Sequence, residues 1–150
     1  MNKAEIVEKI KGKRLAAFDW GKVRVGWAVC DELHIVVSTK GVFMQQSPTF
    51  WADILNGIEK EKIEMILVGI PIRVDEETTP VIKKIKKFIS SIQHRTQLEV
   101  IEVDEAFTSK RAKETLIEIG TRKKQRQDKT KLDEVSAAIM LREFLLEVEG

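Results

Sequence analysis

The chain has 150 residues, 43% apolar and 33% charged, with a formal net charge of +2. That length suits one domain with a real core, and that balance excludes a disordered chain. No apolar run is long enough to span a bilayer, and with one cysteine (Cys30) and two histidines, an intrachain disulfide and a structural zinc site are both excluded.

Met1 to Arg14 mixes charged and apolar residues and lacks the apolar block of a signal peptide, so a cytoplasmic protein is expected. Ile6 and Ile10 at helical spacing predict a short helix over Asn2 to Lys11, stopped by Gly12. Leu15 to Trp20 and Val25 to Asp31 read as two strands joined by a tight hairpin, with Asp19 near the end of the first. The β-branched run Ile35 to Phe43 predicts a third strand. Ser47 as N-cap and Pro48 at the first helical position open a helix to about Lys60, burying Phe50 or Trp51, Ile54, Leu55 and Ile58.

Met65 to Gly69 is almost wholly apolar and reads as a central strand covered on both faces. A loop leads to Thr79-Pro80, which opens a helix burying Val81, Ile82, Ile85, Phe88, Ile89 and Ile92. Lys83, Lys84, Lys86 and Lys87 form its solvated face. Leu98 to Val103 is a strand closed by Asp104-Glu105. A helix capped by Ser109 runs to about Ile119 and stops at Gly120. The last helix, Leu132 to about Val148, turns Val135, Ala138, Ile139, Leu141, Leu145 and Leu146 inward. Three strands joined by short turns pair antiparallel, and two strands reached through helices lie parallel. The fold class is therefore α/β, with one mixed five-stranded sheet and helices on its faces.

Thr121 to Lys131 carries six cations against the single acid Asp128, a local excess suited to phosphate. Asp19, the Asp104-Glu105 pair and Asp133 fall at strand ends or in the first turn of a helix, where a mixed sheet can bring them to one edge. Two carboxylates about 4 Å apart repel by roughly 4 kcal/mol at an effective dielectric near 20, and magnesium offsets that repulsion. Two such ions about 3.5–4 Å apart clamp an in-line attack of water on a phosphodiester. Lys22, Arg24, Thr108 and the basic segment are candidate phosphate contacts. The tryptophans read as core or sheet-face residues, with Trp20 singled out for adjoining Asp19. His34 and His94 are expected at the surface.

Four stretches carry a resemblance. Asp19-Trp-Gly21-Lys-Val-Arg24-Val-Gly26-Trp-Ala28 resembles the opening D-x-G-x-x-R-[IV]-G-x-A of the YqgF/RuvX family of the RNase H-like superfamily. Val68-Gly69-Ile70-Pro71 is similar to its VGxP strand end, and Asp104-Glu105-Ala106-Phe107-Thr108-Ser109 to its D-E-R-[LF]-T-T. Leu132-Asp133-Glu134-Val135-Ser136-Ala137-Ala138 resembles its V-D-x-[LV]-A-A, preceded by a basic stretch. Order and spacing agree from about residue 13 onward.

The resemblance implies one RNase H-like nuclease domain over residues 1–150, with residues 1–12 as a helical extension. It implies a magnesium-dependent nuclease, with manganese as substitute, that processes the 5′ end of the small-subunit ribosomal RNA precursor or resolves Holliday junctions. The partner is then structured RNA or branched DNA and not a membrane, and a resolvase would favour a two-fold homodimer. Carried over by position, the metal carboxylates are Asp19, Glu105 and Asp133, with Asp104 as fallback for Glu105. Lys110 and Arg111 stand where a substitute could come for the arginine that is Ala106 here. With Arg122, Lys123, Lys124 and Arg126 they complete the implied nucleic-acid contacts. Ala106 and the acidic run Asp75-Glu76-Glu77 depart from the pattern, and they motivate a rival reading as a binding or regulatory module without catalysis. A sugar-kinase or actin-like ATPase would need two such domains facing each other, and the chain has room for one.

Overall fold

A computed structural model describes residues 2–72, 78–104 and 129–150, except for the side chains of residues 129–134. Helix α1 spans Lys3–Ile10, and the Asn2 carboxamide oxygen accepts from the Glu5 amide at 2.8 Å as its N-cap. Strands β1 (Leu15–Trp20), β2 (Arg24–Cys30) and β3 (Val37–Met44) follow, then α2 (Phe50–Lys60), β4 (Met65–Ile70), α3 (Thr78–Thr96), β5 (Val100–Asp104) and α4 (Lys129–Glu149). The sheet order is β3-β2-β1-β4-β5. β1 pairs antiparallel with β2 and parallel with β4, β2 pairs antiparallel with β3, and β4 pairs parallel with β5. This is the expected mixed sheet, with β1 at its centre. None of the described helices is long and apolar enough to cross a membrane.

Alternation along β1 divides the core in two. Ala16, Phe18 and Trp20 face α2 and α3, in a layer with Trp27, Phe50, Ile54 and Phe88. Phe18 is fully buried and has three ring neighbours at 5.8–6.4 Å, Trp27, Phe43 and Phe88. Leu15 and Ala17 face the other way, in a layer with Ala28, Cys30, Ala137, Met140 and Leu141. Small residues on that side let α4 lie close across β1, β2 and β3. Gly57 serves the same purpose on the aromatic side, because a Cβ there would come within 2.8 Å of the Trp27 ring.

Several boundaries differ from the sequence reading. β3 starts at Val37, because the Asp31 carboxylate accepts the Ile35 and Val36 amides at 2.9 and 2.8 Å and holds them in a turn. α2 starts at Phe50, because the Ser47 hydroxyl accepts from the Thr49 amide and closes a turn before the helix begins. α4 starts at Lys129, which takes Lys129 and Lys131 out of the basic loop and makes Asp133 the fifth residue of the helix, not a first-turn residue. Leu146 is exposed (67%), since the buried stripe runs through Leu141, Phe144, Leu145 and Val148.

His34 is not a surface residue either. Its side chain is 4% exposed, with Nδ1 at 2.8 Å from the Glu149 carboxylate and Nε2 at 2.8 Å from the Lys13 carbonyl. The β2–β3 pairing shifts register between Trp27 and Ala28, next to Gly41, whose φ is +105°. The predicted helix from Ser109, the departures at Ala106 and residues 75–77, and most of the basic segment lie outside the described residues.

Candidate active site at the end of the central strand

Asp19 is the penultimate residue of β1, directly opposite Gly26, and is half-buried. Alternation puts it with Leu15 and Ala17 on the α4 face of the sheet. Lys22 in the hairpin loop is exposed, and Arg24 at the start of β2 is half-buried. The loop is held from the side by a residue the sequence reading passed over. Gln45, just beyond β3, donates its amide to the Val23 carbonyl at 2.9 Å and its side-chain Nε2 to the Gly21 carbonyl at 2.6 Å. Gly21 is required by close approach, since a Cβ there would lie 2.6 Å from the Arg24 carbonyl oxygen. A polar side chain two residues after a Gly-Val-Phe strand carries no local signal of such a role.

β4 ends level with β1. Phe18 pairs with Val68, and one step further along, Gly69 pairs with Val103 and Ile70 with Asp104. Along β5, Ile101 and Val103 pack into the α4 layer, whereas Val100 joins the α3 layer and Glu102 pairs with Lys86 of α3. Alternation therefore assigns Asp104 to the α3 side, opposite to Asp19, and Asp104 is exposed. That parity disfavours Asp104 as the stand-in for Glu105.

Position 133 lies in α4 one turn before Ala137, which is fully buried in the same layer as Ala17. The side chain of Asp133 lies outside the described residues, as do Glu105, Thr108, Lys110, Arg111, Arg122, Lys123, Lys124 and Arg126 in full. Among the described residues no group of three acidic, histidine or cysteine side chains forms a metal nest. Cys30 is buried on the α4 face, and burial pushes its thiol up to about 11, so it is an inert core residue. Asp31 is held below the usual carboxylate range by the Val36 and Ile35 amides, which marks it as a turn residue.

On the opposite face, Trp20 lines a cavity of about 470 Å³ with Gln45, Trp51, Phe88 and two lysines of α3, Lys84 and Lys87. The sequence reading had put those lysines on a merely solvated face. Their spacing of three, with Phe88 one residue further on, is the one signal that could have drawn notice.

Comparison with known proteins agrees with this architecture. A relative from Flavobacterium psychrophilum, named "Putative pre-16S rRNA nuclease", is 40% identical over 133 residues, covering 88% of this chain and 96% of its own length. A protein of the same name from Bacteroides fragilis is 35% identical, covering 88% of this chain and 95% of its own length. The structure titled "T. thermophilus RuvC in complex with Holliday junction substrate" superposes with a TM-score of 0.55 at 15% identity, over 90% of this chain and 95% of that one, a likeness of fold. The RuvX family, described as Holliday junction resolvase, matches residues 13–147. With the RNase H-like sheet order, this match shows that the chain belongs to the RuvX family.

Proposed function

We propose that the protein is a magnesium-dependent endonuclease that hydrolyses phosphodiester bonds in structured nucleic acid, acting on the 5′ end of the pre-16S rRNA. The observation that carries this reading is the half-buried Asp19 at the end of the central strand, on the face covered by α4, the helix that holds position 133. The names of the relatives at 35–40% identity supply the substrate.

Asp19, Glu105 and Asp133 would hold the metal, and their oxygens are the donor type magnesium prefers, with manganese as substitute. The strand-end position of Asp19 fits such a role, since the chain turns away there through a loop that accepts no side chain at Gly21. When bound, magnesium supplies the activation of water for attack on phosphorus. This chain's own part is to fix and neutralise. Gln45 braces the loop after Asp19, and the β1–β2 pairing sets Asp19 opposite Gly26. Lys22, Arg24, Thr108, Lys110, Arg111, Arg122, Lys123, Lys124 and Arg126 would bind strand phosphates without reading sequence.

The test is cleavage of a 5′-extended pre-16S rRNA fragment by purified protein with magnesium, with EDTA, and by Asp19→Asn. Loss of turnover on the order of 10²-fold or more is expected for the variant. Full activity in Asp19→Asn of verified purity would overturn the proposal. The family's own description favours a second reading, a resolvase of branched DNA. Faster cutting of a four-way DNA junction than of the RNA would select it. Metal-independent, salt-sensitive binding without cutting would instead select the non-catalytic module.

A further inference from the structure

The geometry points to a second nucleic-acid subsite, on the sheet face opposite Asp19, in which an unpaired nucleotide stacks on Trp20 while Lys84 and Lys87 hold its phosphates. Trp20 follows Asp19 in the chain, so alternation turns the two side chains to opposite faces of the same strand end. The Trp20 ring is half-buried and lines the cavity of about 470 Å³, a size within the range of about 300–1,000 Å³ common for small-molecule sites.

The other rings of the cavity are already engaged. Trp51 stacks on Phe88 at 5.5 Å with 22° between the planes, and the Arg95 guanidinium lies 4.5 Å over the Trp51 ring. Trp20 has no ring partner among the described residues. It is the available platform, set on a rigid aromatic floor. Lys84 and Lys87 are exposed at the rim, and neither has an ion-pair partner among the described residues. Among the described residues no acidic side chain lines the cavity.

A flat ring beside two cations, with no anion among the described lining residues, suits a nucleotide better than an acidic peptide, which would leave Trp20 unused. It suits an unpaired nucleotide in particular, since a base held in a duplex presents no free face. The occupant is a strand and not a free nucleotide, because the cavity begins at the residue next to Asp19. A strand with a phosphate at Asp19 needs only to pass over the end of β1 to reach Trp20. This inference rests on the proposed nuclease function and adds a substrate feature to it: unpaired residues beside the cut.

The test measures fluorescence anisotropy of a labelled single-stranded RNA decamer and of the same sequence as a blunt duplex, in EDTA, from 50 to 200 mM KCl, with competition by AMP. Trp20→Ala should weaken decamer binding about 5- to 150-fold and leave duplex binding unchanged. Lys84→Ala with Lys87→Ala, both at the surface, should reduce the slope of log affinity against log salt by about 1.4. Trp20→Phe, which keeps a ring in place, should retain most of the affinity and guards against misfolding. Unchanged decamer affinity and salt slope in these variants would overturn the subsite, as would a wild type that binds no single strand. AMP competing as tightly as the decamer would overturn the strand as occupant. Normal magnesium-dependent cutting together with unaffected variants removes the subsite and leaves the nuclease. Pocket-dependent decamer binding without cutting of any substrate removes the nuclease and leaves the subsite.

Discussion

The two faces of the sheet are built from different materials. The face toward α2 and α3 is thick and aromatic, with Phe18, Trp27, Phe43, Trp51 and Phe88 in mutual ring contact. The face toward α4 is made of Ala17, Ala28, Cys30 and Ala137 beside larger aliphatic residues. The difference sets two unlike environments on the two sides of one strand end. Small residues line the side on which α4 crosses the sheet, whereas on the ring-rich side a cavity lies beside Trp20.

The contrast can be broken most severely from the aromatic side. Phe18→Ala removes a fully buried ring that touches three others, and a loss of about 3–5 kcal/mol is expected in urea unfolding. Ala28→Leu attacks the other face by forcing a larger side chain under α4. It should cost about 1–3 kcal/mol, readable as a lower midpoint at unchanged m-value. Gly57→Ala sharpens the comparison, because alanine favours a helix by about 1 kcal/mol. The 2.8 Å approach to Trp27 outweighs that gain, so a net destabilisation of about 1 kcal/mol is expected by thermal melting.

The smallest effect concerns protons on the α4 side. Folding favours the protonated Cys30 thiol, so its contribution is intact below pH 9 and is lost as pH rises toward about 11. Iodoacetamide should leave the native protein unlabelled at pH 8 and label it fully in denaturant, as mass spectrometry would show.

Much of this plan was legible in the sequence because the signals were local. Apolar runs bounded by turns gave β1, β2 and β4, and helical spacing gave the buried faces of α2 and α3. The errors arose where one side chain redirected the backbone. Asp31 captured two amides and delayed β3, and Ser47 closed a turn that delayed α2. His34 was misread because its two partners, Lys13 and Glu149, are 21 residues before it and 115 after it. Gln45 was missed for the same reason, since its role depends on where β3 ends relative to the first hairpin. The strand-end position of Asp19 was legible from the apolar run before it. The relation of Asp104 to Asp19 was not, because parity between strands depends on register, and register is set by the whole sheet.

The offset between Trp27 and Ala28, with Gly41 at positive φ, carries a consequence for self-association. β3 is an outer strand of the sheet, and a regular outer strand invites a second chain to continue it. The kink spoils that template midway, and Lys40 beside it, paired with Glu61 at 3.2 Å, adds a charged group at the edge. The β3 edge is therefore a poor place for a second chain to extend the sheet.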